Sequence, residues 1–363
     1  MSGPVLVMAG GTGGHIFPGL AVAQALRARG VPVAWLGNPA GMEARVVPPT
    51  GIPMEYVSIG GLRGKGLATK LLAPIRICST IAQCLGIIRR LRPRAVLGMG
   101  GYVTGPAGVA AWLSRRPLVI HEQNAVAGMT NKILSRFATE ILEAFPASFP
   151  SPSRARSIGN PVRREISELE DPATRMAGRC GRLRLLVFGG SQGALKLNET
   201  VPAALALMPA ATRPEVLHQA GGATLDVARE AYAEAGVEAE ITPFIDDMAA
   251  AYGWADIAIC RSGALTVSEL AAAGLGSVLV PFPAAVDDHQ TRNADYLVDA
   301  GAAMLIQETE LDPQGLAARL EALAADRAQL VKMACAARGQ ARPAALDELA
   351  TACLEAARNG GGA

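Results

Sequence analysis

The sequence predicts an α/β chain made of two doubly wound, parallel-sheet halves, and three observations predict it. One local pattern occurs twice: Val5-Leu6-Val7-Met8-Ala9 runs into Gly10-Gly11-Thr12-Gly13-Gly14-His15, and Leu185-Leu186-Val187-Phe188 runs into Gly189-Gly190-Ser191-Gln192-Gly193-Ala194. Each copy is a short apolar run of the kind found in strands buried on both faces, then a glycine turn with one hydroxyl, then a helical pattern. The length of 363 residues exceeds one ordinary core and suits two domains of about 150 to 200 residues. Half of the residues are hydrophobic but only 4% are aromatic, which suits α/β layers better than an all-β sandwich.

The elements follow in order. In the first half, strands are expected near residues 4–9, 33–36, 55–57, 95–98, 117–121 and 139–142, with helices between most of them. The stretch from Phe145 to Pro161 is rich in Pro, Ser and Arg and has little apolar periodicity, so it reads as a linker. The expected domains are therefore residues 1–160 and 161–342. The second half repeats the scheme with strands near 184–188, 214–218, 239–242, 256–259, 277–280 and 303–305. Beyond Pro343 one last amphipathic helix is expected.

Six cysteines, with no CxxC pair and no histidine at metal-ligand spacing, read as reduced thiols. No signal peptide is visible, so a cytoplasmic protein is expected. The net charge of +2 is unevenly spread: no acidic residue lies between Glu55 and Glu122, while ten Lys and Arg do. Inside that window Leu67 to Ile77 leads into a helix whose apolar face is expected to be Ile75, Cys78, Ile81, Ala82, Leu85 and Ile88. Leu72, Ile77 and Ile87 fall off that face. A helix lying on anionic lipid and an ordinary buried helix with basic ends both fit this stretch. Nucleic acid fits poorly, because no stacking aromatics accompany the charges.

The glycine turns lack the GxGxxG spacing of dinucleotide folds and the Lys-Ser/Thr of Walker A loops. Glycines at a strand-to-helix turn still let backbone N–H groups approach an anion that the helix N-terminus favours. A ligand between the halves is the expectation. His15 opens the first such helix, where the positive dipole end favours a neutral imidazole; it is either a general base or a histidine that only caps or packs. His121-Glu122-Gln123-Asn124 ends a predicted strand, as ligand contacts or as a plain loop entry. In the second half Ser262 is expected to cap a helix whose first N–H groups, near Gly263, Ala264 and Leu265, can receive a diphosphate. Glu269, two turns further on, can accept from both hydroxyls of a ribose or is simply a solvated helix residue. Gln290 and Asn293, at i and i+3, share one helix face and either suit sugar hydroxyls or are ordinary surface amides. The doublets Asp246-Asp247 and Asp287-Asp288 precede helices and read as N-caps, so no metal and no cofactor are expected.

Taken together, GGTGGHIFP (10–18), GGLRGKG (60–66), GMGGYVTG (98–105), HEQN (121–124), GNPVR (159–163), GGSQG (189–193), FIDDM (244–248), Arg261 to Glu269 and Asp287 to Asn293 resemble the MurG family. These are transferases that move N-acetylglucosamine from UDP-GlcNAc to undecaprenyl-diphospho-N-acetylmuramoyl-pentapeptide. The resemblance runs nearly end to end. It implies a GT-B fold of two Rossmann-like domains facing a cleft, with the acceptor on the first half and the donor mainly on the second. The last helix, 343–358, would return to the first domain.

The resemblance also implies roles. Uracil would meet the backbone of Ile245, ribose Glu269, and diphosphate Ser191 and the helix start spanning Ala264, Leu265, Thr266, Val267 and Ser268. Gln290 and Asn293 would hold the sugar, and Thr12, Gly13, Gly14, Asn124 and Arg163 would close the cleft. Transfer would be inverting and metal-independent, with His15 as base, Glu122 as alternative base or the group orienting His15, and Arg163 or Arg261 helping the leaving group. The acceptor's polyprenyl tail would place the protein peripherally on the cytoplasmic face of the inner membrane. Leu67, Leu71, Leu72, Ile75 and Arg76 would contact the anionic leaflet there. A UDP-GlcNAc 2-epimerase of the same fold and a non-catalytic nucleotide-sugar sensor are the competing readings.

Overall fold

The computed structural model describes residues 3–59, 73–150, 154–190, 193–284 and 288–359. The expectations for Leu67, Leu71, Leu72, Ser191, Asp287 and the segment 60–66 lie outside these residues. The chain divides into two units, one formed by Met1–Pro161 with Pro343–Ala363 and the other by Val162–Arg342.

The first unit holds strands β1 (Val5–Met8), β2 (Val33–Gly37), β3 (Met54–Tyr56), β4 (Ala95–Gly98), β5 (Leu118–Glu122), β6 (Glu140–Glu143) and β7 (Arg156–Ser157). Among the described residues they form one sheet in the order β3-β2-β1-β4-β5-β6-β7, every pair parallel. Side chains alternate across it. Val5 and Val7 of β1 join the core under the helices Gly13–Ala28 and Ala345–Asn359, while Leu6 and Met8 join the core under the helices Ala73–Leu91, Thr104–Leu113 and Met129–Leu134. The last helix is thus built into the first unit through Leu349, Ala350, Cys353 and Ala356, and it is tied at its rim by Arg29–Asp347 (2.6 Å) and Arg156–Glu348 (2.7 Å).

The two-residue strand β7 falls inside the stretch read as a linker. Arg156 and Ser157 are both exposed, so no apolar period marks them. Backbone pairing with β6 makes the strand, and a charged side chain at such an edge discourages further pairing.

The second unit repeats the plan with β8 (Arg184–Phe188), β9 (Glu215–Gln219), β10 (Glu240–Thr242), β11 (Ile257–Cys260), β12 (Ser277–Leu279) and β13 (Ala303–Leu305). Among the described residues the order is β10-β9-β8-β11-β12-β13, again parallel throughout. In both sheets the strand order reverses beside the first strand, between β1 and β4 and between β8 and β11. Ligands of open α/β sheets bind at the carboxyl ends of strands at such a reversal. Both glycine turns lie there.

The cysteines are free thiols, Cys84, Cys260 and Cys353 buried and the other three exposed.

Candidate functional site

In the first unit the site grows from the turn between β1 and the helix Gly13–Ala28. The fully buried Glu43 accepts from the N–H groups of Asn38 (2.9 Å) and Gly11 (3.3 Å), pinning the glycine turn from beneath. Thr12 stands at the N-cap in extended conformation without using its hydroxyl as a cap. The helix start therefore has no side-chain acceptor of its own, which leaves its positive end available to an anion. His15, half-buried, lies one residue beyond Gly14. Its ring packs on the loop after β4, where Gly100 has φ +102° and an added Cβ would come within 2.9 Å of the imidazole. Only glycine suits that position.

From the adjacent strand end, Gln123 reaches His15: its Oε1 is 2.8 Å from Nδ1 of the ring. Gln123 is buried and also bonded to His121, which is itself buried and bonded to the Gly159 carbonyl. Glu122 was expected as a base or as the group orienting His15, but the structure employs it otherwise. One oxygen accepts from the Asn124 backbone and side chain (3.1 and 3.2 Å), the other from the N–H of Gly128 (3.1 Å) and the Asn131 amide (2.9 Å). A buried carboxylate with four donors is spent on shaping its loop, and Gln123 takes the place beside His15.

In the second unit the glycine turn after β8 is held by Gln219, at the end of β9, which donates to the Gly190 carbonyl (2.9 Å). Gly193 has φ +74°, and an added Cβ would lie 2.0 Å from the Ala220 carbonyl oxygen, so the close approach demands glycine. Beside this turn the helix Ala264–Ala273 begins at the end of β11. Ser262 does not cap it: Gly263 occupies the N-cap position and supplies no side chain, while Ser262 is buried. The bare helix start still directs its dipole at the strand ends, with Ala264, Leu265 and Thr266 in its first turn.

Glu269 faces the same region. Its Oε1 accepts from Arg163 (3.2 Å) and its Oε2 from the buried Tyr252 hydroxyl (3.0 Å). Burial raises the Glu269 pKa, with Arg163 and Tyr252 opposing the rise. Burial and the Glu269 charge together hold the Tyr252 hydroxyl protonated, so it acts as a donor. Arg163 is half exposed.

Three expectations shift here. Arg261 donates to the carbonyls of Val280 and Pro281, pairs with Glu308 and lies over the Phe282 ring, so its guanidinium braces the 280–282 segment instead of aiming at a phosphate. Asn293 is buried and donates to the Ser262 carbonyl (3.2 Å), steadying the turn before the helix, whereas Gln290 is partly exposed and accepts from the Phe282 N–H (2.9 Å). The pair thus differs in exposure, and Gln290 is the better placed for a ligand. Asp247 caps its helix at the Ala250 N–H (2.9 Å), but Asp288 bonds the Thr291 hydroxyl and not a helix N–H. Ile245 is half-buried just after β10. Among the described residues no group of three or more His, Cys, Asp or Glu is arranged to hold a metal ion.

The helix Ala73–Leu91 buries a face rotated from the one the periodicity suggests but overlapping it: Ile88 is buried and Ile81 and Leu85 pack against the core, as expected. Thr80, Cys84, Ile87 and Ile88 point into the core, while Ile75, Cys78 and Ala82 are exposed. Ile77 and Ile87 lie beside the expected stripe and widen it, so the period alone does not fix which edge of it meets the sheet. Thr80 can be buried because its hydroxyl donates to the Arg76 carbonyl. Ile75 is 68% exposed, and on the neighbouring helix Trp112 and Leu113 are 51% and 53% exposed. Among the described residues no helix is long and apolar enough to cross a membrane.

The sequence analysis missed Tyr252, Glu43 and Gln219 as supporting residues, and it named Gln123 only within the His121–Asn124 run, without its bond to His15. Each acts through a partner that only the fold brings near, and the period of its own segment carries no signal of it.

With this geometry in place, the comparisons with known proteins are specific. Residues 5–143 match the glycosyltransferase family 28 N-terminal domain and residues 184–349 its C-terminal domain. The chain is 57% identical over 352 residues to the UDP-N-acetylglucosamine--N-acetylmuramyl-(pentapeptide) pyrophosphoryl-undecaprenol N-acetylglucosamine transferase of Marinobacter nauticus, covering 97% of each. It is 58% identical to the enzyme of the same name from Alkalilimnicola ehrlichii, covering 99% of this chain and 100% of the other. Among solved structures, Acinetobacter baumannii MurG superposes with a TM-score of 0.86 at 41% identity, covering 97% of this chain and 99% of that one.

Proposed function

The chain belongs to the MurG family within glycosyltransferase family 28, and from that premise we propose that it transfers N-acetylglucosamine from UDP-GlcNAc to the 4-hydroxyl of the N-acetylmuramoyl residue of undecaprenyl-diphospho-N-acetylmuramoyl-pentapeptide. The observation that carries the reading is identity of 57% and 58%, over nearly the whole chain, to two transferases of that name. The paired strand-order reversals agree with it, since each offers a glycine turn and a bare helix start.

In this reading the second unit recognises the donor. The Ile245 backbone meets the uracil, Glu269 the ribose hydroxyls, Gln290 the sugar, and the helix beginning at Ala264 the diphosphate. Arg163, already beside Glu269, is the cation nearest the donor. The first unit supplies the base. His15 takes the proton of the 4-hydroxyl as that oxygen bonds to the anomeric carbon; the bond to the diphosphate breaks, and UDP leaves with the electron pair. Helix dipole and N–H groups stabilise the leaving charge. The deciding experiment is turnover of radiolabelled UDP-GlcNAc with purified lipid acceptor, with and without EDTA. Acceptor-dependent labelling that persists in EDTA is expected. Free sugar released without acceptor would mean an epimerase, and binding without turnover a sensor.

Tyr252 gives a separate check on the donor site. Its hydroxyl fixes one oxygen of Glu269, and a hydrogen bond to a charged group is worth about 1.5 to 3 kcal/mol. Tyr252→Phe is therefore expected to raise the KM for UDP-GlcNAc about tenfold or more with a smaller change in kcat. Unchanged KM would remove Glu269 from ribose recognition.

The acceptor's lipid tail requires the first unit to work at a membrane surface. We assign the docking face to Leu67, Leu71, Leu72, Ile75 and Arg76; Ile75 is exposed, as are Trp112 and Leu113 on the helix packed against Ala73–Leu91. Arg89 adds positive charge on the same helix as Ile75, whereas Arg90 is paired with Glu55. Leu72→Glu with Ile75→Glu removes two apolar anchors and adds two negative charges, each basic contact being worth about 1 kcal/mol near an anionic leaflet. Binding to vesicles containing anionic lipid is expected to fall by about tenfold or more. Unaltered sedimentation with vesicles would place the docking face elsewhere.

A further inference from the structure

Three side chains and one carbonyl in the first unit form a continuous chain of hydrogen bonds, and each link constrains the next. The Gly159 carbonyl can only accept, so His121 Nε2, 2.9 Å away, carries a proton. His121 is completely buried, and burial lowers its pKa to about 4, so near neutral pH the ring is uncharged and its Nδ1 is a lone pair. The Gln123 side-chain nitrogen lies 3.1 Å from that Nδ1 and 3.1 Å from the His121 backbone carbonyl, and both of these groups accept. The carbonyl alone fixes which way the amide faces: its NH₂ towards His121, its oxygen towards His15. That oxygen is 2.8 Å from His15 Nδ1 and cannot donate, so Nδ1 holds the proton, and the neutral ring keeps its lone pair on Nε2.

We propose that Gln123 is a positioning residue for the transfer, setting His15 as its Nδ1–H tautomer and so presenting Nε2 as the proton acceptor. The inference rests on the reading of His15 as the base. When Nε2 takes the acceptor's proton, the Nδ1–H bond to Gln123 is already in place, and the imidazolium that forms keeps a partner without rearrangement. A neutral amide also orients the ring without placing a negative charge beside it. His121 acts one step back, as the group that stops the amide from flipping.

The test is ¹⁵N NMR of the full-length, histidine-labelled protein, in which long-range imidazole couplings distinguish the tautomers. With four histidines in the chain, His15 and His121 are assigned by substitution. The wild-type protein is expected to show His15 as Nδ1–H and His121 as Nε2–H. Gln123→Met keeps the length of the side chain and removes the amide. It should move His15 towards the Nε2–H form and lower kcat at least about tenfold, with the KM for UDP-GlcNAc unchanged. Gln123→Glu, whose carboxylate can accept from Nδ1, should restore the Nδ1–H form. A wild-type His15 in the Nε2–H form, or a Gln123→Met variant with unaltered tautomer and kcat, overturns the proposal. Should that variant not fold, the wild-type spectrum decides alone. Full turnover in a His15→Ala variant would remove the base itself, whereas a wrong tautomer in wild-type protein, with His15→Ala inactive, would remove only the relay.

Discussion

Replacing His15 with alanine is expected to lower kcat by about 10²- to 10⁴-fold, the usual contribution of a positioned general base. The KM for UDP-GlcNAc should stay within about twofold, because His15 lies in the first unit and the donor contacts assigned above lie in the second. In free-energy terms the loss is about 3 to 5 kcal/mol of transition-state stabilisation. The expectation rests on three features of the ring: its seat at a bare helix start, the glycine at position 100 that gives it room, and the Gln123 bond that fixes its rotation. Alanine removes the ring but keeps the helix, so folding should be little affected. The kinetic pattern separates this variant from Tyr252→Phe, where KM carries the change. Steady-state turnover on the lipid acceptor, at saturating and limiting donor, is the measurement. A loss smaller than about tenfold would move the proton-accepting role away from His15.

Much of the fold was legible because buried parallel strands write themselves as apolar runs. β1, β4, β8 and β11 each read as a short apolar run, and the observed strands other than β7 fall within a residue or two of the expected ones. The glycine turns were legible for the same local reason, since a strand-to-helix turn with backbone packed closely against backbone has no room for Cβ. Strand order was not in the sequence at all, yet it decides that the two turns lie at equivalent reversals. Side-chain commitments were the least legible. Arg261 looks like an anion ligand until the fold brings Val280, Pro281 and Glu308 to its guanidinium. Glu122 looks like a base until Asn124, Gly128 and Asn131 fill its lone pairs. In each case the partners, not the residue type, fix the role. The resemblance to a family supplied function, and the folded chain then showed which members of the motif are engaged in bracing the frame.

Asp256→Ala is expected to destabilise the second unit by about 3 to 5 kcal/mol. The carboxylate is almost wholly buried at the start of β11, the end of that strand opposite the donor contacts. One oxygen accepts from Arg179 (2.7 Å), the other from Arg327 (2.8 Å) and from the Arg184 N–H at the head of β8 (3.0 Å). Arg179 is itself mostly buried, and it also donates to the carbonyls of Gly253, Trp254 and Ala255. Removing the carboxylate leaves that guanidinium without its counter-charge and strips an acceptor from the β8 backbone. Arg327 is more exposed and can turn to water, so its share of the loss is smaller. For a unit of this size the change corresponds to a fall in Tm of about 6 to 20 °C. Because the cluster sits at the amino ends of the strands, folded Asp256→Ala protein should bind UDP-GlcNAc with unchanged KM below its transition. Urea denaturation together with donor kinetics tests both halves of the expectation. A loss under about 1 kcal/mol would show that water reaches Arg179 and screens it, and a raised KM in the folded variant would show that strain at the strand starts is transmitted along β8 and β11 to the ligand ends.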